Sequence, residues 1–309
     1  MTIPFHVIQP PSALVMGPTG SGKTDCLATL IEGGLETFVI VTEPDGIGSL
    51  IDSVNRRKLD MSKLHWNYCP PTPMGWMALD DMIKTIGTMG FEQIQNIKVG
   101  VGKDATRETA FKFLNQLKNF KCERTGKAFG PVDQWENDRA LVWDSLSGLN
   151  LISWMLTVGY KPAAHVGEWG VSMNFLEALL TKAIADRHYF FVLVAHIERE
   201  VNELTGATQT MVSTLGRKLA PKIPRYFSEV VLAKRTLDKG AAKFTWSTIE
   251  NQMDLKNRSL PIASDLSPSF VPIIDAYRRR QASIEAPPPP SSEPVVAPKT
   301  MPPTLTKAV

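Results

Sequence analysis

The fold is decided by the stretch Ala13-Leu-Val-Met-Gly17-Pro-Thr-Gly-Ser-Gly-Lys23-Thr24. An apolar run leads here into the pattern GxxxxGK(S/T), which is typical of a phosphate-binding loop between a strand and a helix. Its glycines would let backbone N–H groups close round an anion, Lys23 would reach the β- and γ-phosphates, and the Thr24 hydroxyl would ligate Mg²⁺. We therefore expect ATP and Mg²⁺ as ligands. The predicted nucleotide-binding residues are Gly17, Pro18, Thr19, Gly20, Ser21, Gly22, Lys23 and Thr24.

Outward from this loop, apolar runs alternate with amphipathic segments, as in parallel strands joined by crossover helices. Strands are predicted at residues 13–16, 37–42, 140–143, 190–195 and 229–233, and helices at 24–32, 106–120 and 171–187. A further strand at 243–249 would form an antiparallel hairpin at the sheet edge. The predicted fold class is α/β, with a mainly parallel central sheet flanked by helices.

The domain prediction is one ATPase domain over residues 1–280 and a tail over 281–309. The tail is rich in proline, alanine and serine, a composition that cannot bury enough apolar surface to fold, so we expect it to be disordered. Residues 83–135 match no catalytic strand order and are interpreted as an insertion or a lid.

Composition indicates a cytoplasmic protein. The net charge is +3, too small to predict a nucleic-acid partner without local clustering. The three cysteines (Cys26, Cys69 and Cys122) are far apart and favour neither a disulfide framework nor a zinc site. No apolar run approaches the roughly 18 residues of a membrane span, and no signal peptide precedes the first strand, so we expect no membrane partner.

Three polar residues at predicted strand ends would complete an active site. Asp144 ends an apolar run and is the predicted second Mg²⁺ ligand, although it could instead cap the following helix. Glu43 is the predicted base that orients the attacking water. Its alternatives are a surface acid before Pro44 or replacement by Asp45. A residue at the position of His196 could sense the γ-phosphate, or be a satisfied core histidine.

With these residues identified, the sequence resembles the RecA-like P-loop ATPases. Among them it is most similar to the phage-encoded AAA-type nucleotide-binding proteins that include RecA-like single-strand annealing proteins. The resemblance covers residues 13–260 and is carried by the phosphate loop, Glu43, Asp144, His196 with the polar loop after it, and the late pair in Lys256-Asn-Arg258.

This resemblance implies a RecA-like fold, with His196 as the γ-phosphate sensor and residues 201–219 as a mobile loop that meets nucleic acid. It also implies that Lys256 and Arg258 are a catalytic pair inserted into the active site of a neighbouring subunit, and hence a homo-oligomer, either a ring or a filament. Alternatively, the pair is an ordinary solvated hairpin end.

A cluster of cations follows the polar loop, with Tyr226 and Phe227 beside it. Cations with adjacent aromatics suit single-stranded nucleic acid, in which phosphates are neutralised and bases stack. The predicted DNA-binding residues are Arg217, Lys218, Lys222 and Arg225.

The predicted function is that of an ATP-binding and ATP-hydrolysing DNA recombination protein, phage-encoded and acting on single-stranded DNA in annealing or strand pairing. Its tail would dock a partner such as a single-strand binding protein. A helicase loader or other replication motor with a protein client is the main alternative, and a small-molecule phosphotransferase is a third.

Overall fold

The computed structural model describes residues 8–44, 46–96, 103–161, 163–185, 187–201, 206, 208–216 and 218–285. The strands are β1 Ser12–Met16, β2 Glu36–Val41, β3 Leu64–Tyr68, β4 Arg139–Asp144, β5 Phe190–Ala195, β6 Ile197–Val201, β7 Thr208–Val212, β8 Glu229–Asp238 and β9 Ala241–Ser247. The α-helices are α1 Ala28–Glu32, α2 Gly48–Arg56, α3 Trp76–Gly87, α4 Phe91–Gln95, α5 Lys103–Lys118, α6 Leu146–Thr157, α7 Val166–Ile184 and α8 Val271–Glu285.

Seven strands form one sheet in the order β3-β2-β4-β5-β1-β8-β9. All neighbours are parallel except β8 and β9, which form an antiparallel hairpin at one edge. Strands β6 and β7 make a separate antiparallel pair. The predicted α/β class, the mainly parallel sheet and the edge hairpin are therefore confirmed.

The central strands are continuous apolar runs because both faces of the sheet are covered. One face packs against α5, α6 and α7 through residues such as Phe113, Ile152 and Leu180. The other packs against α1, α2 and α8 through residues such as Leu50 and Ile274. Two hydrophobic layers thus hold the sheet rigid, and the carboxyl ends of its parallel strands open on one edge.

Several elements differ from the prediction. The helix expected over 24–32 is a 3₁₀ turn at Asp25–Leu27 followed by the short α1. Helix α8 was not predicted, and it continues to Glu285, so residues 281–285 end a helix instead of beginning the tail. The remainder of the predicted tail lies outside the described residues.

The segment interpreted as an insertion or a lid contributes to the core where it is described. In α5 and the loop after it, Phe113, Phe120 and Trp135 are buried against the sheet. This part of the segment therefore covers a face of the sheet and not the phosphate loop. Across the described residues, no helix combines the length and apolarity that crossing a membrane requires.

Candidate active site

The predicted phosphate loop, residues 17–24 and called the phosphate loop below, folds back at the carboxyl end of β1. The Gly17 amide donates to the Ala195 carbonyl over 3.2 Å, which ties the loop to the end of β5. A Cβ on Gly17 would lie only 2.5 Å from the backbone oxygen of Ala233. Gly20 and Gly22 have φ angles of +72° and +81°, in the left-handed region that favours glycine. Steric constraints therefore account for the glycines of the motif.

Lys23 is buried inside the loop. Its ammonium donates to the carbonyls of Gly17 (3.0 Å) and Pro18 (2.8 Å), and the residue is 6% exposed. Burial lowers the pKa of Lys23, and the negative charges of Asp144 and Glu43 partly oppose that effect. The cation is thus held at the centre of the loop, facing two carboxylates.

Thr24 and Asp144 form the polar pair expected for a metal. The Thr24 hydroxyl donates to Asp144 Oδ2 over 2.8 Å, and Asp144 is 3% exposed. Burial raises the pKa of Asp144 to about 6, despite the hydrogen bond from Thr24, which lowers it. Within the described residues, no cluster of three or more His, Cys, Asp or Glu side chains could hold a metal. Mg²⁺ often uses only one or two protein oxygens, with phosphate and water as its other ligands, so this pair fits it.

Glu43 lies just beyond β2 and meets the ends of β4 and β5. Its Oε1 accepts a hydrogen bond from the Ser145 hydroxyl and lies 3.4 Å from His196 Nε2. The hydrogen bond from His196 lowers the pKa of Glu43, although burial opposes it. The lowered pKa keeps Glu43 ionised, and the side chain lies in the same cleft as residues 19–24.

His196 joins Lys23 to Glu43. The Lys23 ammonium lies 3.5 Å from His196 Nδ1, on the opposite side of the ring from the Glu43 contact. An ammonium can only donate, so this contact favours the ring tautomer in which Nδ1 accepts and Nε2–H faces Glu43. His196 is thus a half-buried link in a polar chain, not a core residue.

One cleft of about 620 Å³ at the carboxyl edge of the sheet contains Lys23, Thr24, Glu43, Asp144 and His196. The lining residues are Thr19, Gly20, Ser21, Gly22, Lys23, Thr24, Asp25, Glu43, Pro44, Gly46, Ser49, Asp52, Arg56, Asp144, Val194, His196 and Phe244. Asp45, the alternative base, lies outside the described residues.

The β8–β9 hairpin adds two residues that the sequence did not indicate. Arg235 and Phe244 pair across the hairpin, and both reach the phosphate loop. Strand β8 is ten residues long, whereas five were predicted. The prediction was too short because the second half of the strand is mostly polar and exposed, and so lacks the apolar run that marked the first half. Only the antiparallel alternation near Phe244 could have signalled this extension.

The structure does not bring Lys256 and Arg258 to the phosphate loop of the same chain. Lys256 bridges to Val230, and the amide of Arg258 donates to buried Glu229 over 3.1 Å. These contacts lie at the first residues of β8, whereas the phosphate loop follows the last residue of β1. Both basic residues are exposed, as a role at a neighbouring subunit would require.

The predicted DNA-binding cations are in unequal environments. Lys218 and Arg225 are exposed, whereas Lys222 forms an ion pair with Glu177 over 3.0 Å. Arg217 lies outside the described residues.

The aromatic residues beside those cations do not present free faces. Phe227 is buried in the core, and the Tyr226 hydroxyl donates to Glu177 over 2.9 Å. The expectation that both could stack on bases is therefore wrong for Phe227, because its ring packs on Phe191.

The polar loop after His196 includes the β6–β7 pair, and residues 202–205 and 207 lie outside the described part. The Ser213 amide donates to the His196 carbonyl over 2.9 Å. Asn150 of α6 in turn donates to the Ser213 carbonyl over 3.2 Å. The predicted mobile loop is thus anchored where described, and its base is bonded directly to the candidate γ-phosphate sensor.

No protein-family model matches this sequence, and a search of curated proteins finds no significant match.

Proposed function

We propose that this chain is a RecA-like P-loop ATPase that binds Mg²⁺-ATP through residues 17–24. The observation that carries the proposal is the meeting of Lys23, Thr24, Glu43, Asp144 and His196 in one cleft. These residues lie in the loop after β1 and at or just after the ends of β2, β4 and β5. Thr24 contacts Asp144, and His196 contacts both Lys23 and Glu43, so the cleft brings two polar chains together. A site of this kind positions a phosphoryl group and neutralises its charge, which is most of what phosphoryl transfer requires.

Lys23 would exchange its present acceptors for phosphate oxygens. Its ammonium is held by two neutral carbonyls. Charged oxygens are stronger acceptors than neutral ones, so a bound triphosphate would draw Nζ toward its β- and γ-oxygens. The same movement would change the contact with His196 and so register the presence of the γ-phosphate.

Thr24 and Asp144 would hold Mg²⁺, which supplies charge neutralisation to the phosphates when bound. Asp144 is suited to this because a cation favours its ionised form, which burial alone disfavours. Glu43 would orient a water molecule toward the γ-phosphate, kept ionised by His196 and positioned by Ser145. Together these residues support ATP hydrolysis.

We assign single-stranded DNA as the substrate on which ATP turnover acts, in annealing or strand pairing. The β6–β7 pair is bonded to His196, so nucleotide binding could be transmitted to it directly. Arg199 on β6, together with Lys218 and Arg225, provides exposed cations in this part of the chain. Lys256 and Arg258 would act in a neighbouring subunit, which requires a homo-oligomer.

A protein client is the second candidate, and helix α3 favours it. Trp76, Met77 and Ile83 on this helix are 88%, 84% and 67% exposed. Large apolar side chains exposed together are typical of a protein contact. A helicase loader or another replication motor would use the same ATP cleft with such a client.

The test is ATP hydrolysis by the purified protein with and without single-stranded DNA, repeated over a salt series. We expect stimulation by DNA that weakens as salt rises, because phosphate contacts release counterions. ATP turnover without any DNA binding would favour the protein client. A Lys23→Ala variant that folds and binds ATP normally would refute the nucleotide site itself.

A further inference from the structure

Phe244 is an exposed aromatic residue placed against the phosphate loop. Its ring lies 3.0 Å from the position that a Cβ on Gly22 would occupy, and the residue is 42% exposed. It lines the same cleft as Lys23 and Asp144. No other aromatic ring of the described residues stacks on it, although neighbouring Trp246 is fully buried against Phe270. A ring face at the mouth of a polar cleft is thus left open.

Arg235 lies directly across the hairpin from Phe244. Its guanidinium nitrogen is 3.1 Å from the position of a Cβ on Gly20, and within the described residues it has no ion-pair partner. The adjacent Lys234, by contrast, is paired with Glu250. An unpaired cation beside a phosphate loop is suited to a phosphate oxygen.

The order of the strands determines which end of a nucleotide would reach this hairpin. Strand β1 lies between β5 and β8. Glu43 and His196 follow β2 and β5, and Asp144 is the last residue of β4, so the metal and the γ-phosphate belong on that side of the loop. The α-phosphate and nucleoside would then extend toward the other side, over β8 and β9, where Arg235 and Phe244 lie. On the opposite rim, Arg56 is already paired with Asp25.

We propose that Arg235 and Phe244 form a nucleoside subsite, in which Phe244 stacks on the base and Arg235 contacts the phosphate nearest the ribose. This subsite rests on the proposed nucleotide site and adds to it the recognition of the base. An aromatic face accepts any base, so the subsite distinguishes a nucleotide from inorganic polyphosphate and not one base from another.

The test compares binding of ATP with binding of inorganic tripolyphosphate, both with Mg²⁺, by titration calorimetry. We expect the unaltered protein to bind ATP more tightly, because only ATP has a base. Phe244→Ala should weaken ATP binding roughly tenfold and leave tripolyphosphate binding unchanged, as expected for loss of one stacking contact. Phe244→Trp should restore the preference for ATP. Phe111→Ala, at an exposed phenylalanine on α5, is the matched control and should change neither ligand.

Arg235→Ala should weaken both ligands to a similar extent, since tripolyphosphate has a phosphate at the corresponding position. Arg279→Ala, at an exposed arginine on α8, is its control. An unchanged ratio of ATP to tripolyphosphate affinity in Phe244→Ala would overturn the base contact while leaving the phosphate site intact. If the unaltered protein binds neither ligand, or if Lys23→Ala binds both normally, the proposed nucleotide site fails and the subsite fails with it.

Discussion

At the scale of single residues, the cleft holds Asp144 in surroundings that oppose its ionisation. The side chain is nearly inaccessible to solvent, and burial raises its pKa from 3.8 to about 6. A pKa raised this far corresponds to roughly 3 kcal/mol of unfavourable free energy in the ionised form. Function and stability therefore conflict at this position: the carboxylate that would hold Mg²⁺ destabilises the fold in the absence of the cation.

Asp144→Asn should accordingly stabilise the protein without nucleotide or metal, raising its melting temperature by several degrees at pH 7.5. Because the folded pKa is raised, the protonated acid favours folding at low pH, and that contribution is lost as the pH rises through about 6. The difference between variant and wild type should thus shrink toward pH 4. Asp133→Asn, at an exposed ion pair with Lys182, is the control and should change little. A variant less stable than wild type at pH 7.5 would contradict this account.

Substitution of Glu43 should separate ATP binding from ATP turnover. Glu43→Gln keeps an oxygen that can accept from Ser145 but removes the charge of the base, so ATP affinity should be retained while the hydrolysis rate falls at least about 100-fold. Steady-state hydrolysis and equilibrium ATP binding measure the two effects. Glu108→Gln, at an exposed glutamate on α5, should leave both unchanged. Normal turnover in Glu43→Gln would move the base to another residue.

At the scale of elements, the loop is fixed by the strands on both sides of β1. Gly17→Ala would place a methyl group 2.5 Å from the Ala233 carbonyl of β8, and a backbone atom in a central strand cannot move aside cheaply. We expect a lower melting temperature and weaker ATP binding. Thermal melts with and without ATP measure both effects. Gly48→Ala is the matched control, because a Cβ at the start of α2 meets no atom within 4 Å and alanine favours a helix. Equal stability of the two variants would show that the loop can shift away from β8.

The elements also show what sequence patterns can predict here. Strand β5 was predicted with its observed limits because a strand buried on both faces is a continuous apolar run. Strand β3 was missed because its buried His65 and Asn67 look polar, and their partners, Glu36 and a carbonyl on Lys121, come from distant segments. The phosphate loop and its acids could be predicted from motif and strand ends. Phe244 could not, because its approach to Gly22 depends on how far the hairpin extends past the sheet.

At the scale of the whole molecule, the two groups of candidate catalytic residues lie at different ends of β8. Lys23 and Glu43 meet at the carboxyl edge of the sheet, whereas Lys256 and Arg258 flank the first residues of β8. A single chain thus cannot combine them in one site as it is folded. A head-to-tail assembly could, because it places one end of each subunit against the opposite end of the next.

Mixing two inactive variants tests this arrangement. Lys23→Ala lacks its own ATP site but keeps the basic pair, whereas Arg258→Ala keeps the ATP site but lacks an arginine to donate. Each alone should hydrolyse ATP poorly, and an equal mixture should recover about a quarter of wild-type activity, since random head-to-tail pairing makes one interface in four competent. Each variant assayed alone, at the total protein concentration of the mixture, is the control. If the mixture stays inactive although both variants assemble, Arg258 does not act across subunits. If Arg258→Ala alone is fully active, the exposed pair is a solvated turn and the cleft completes its chemistry within one chain.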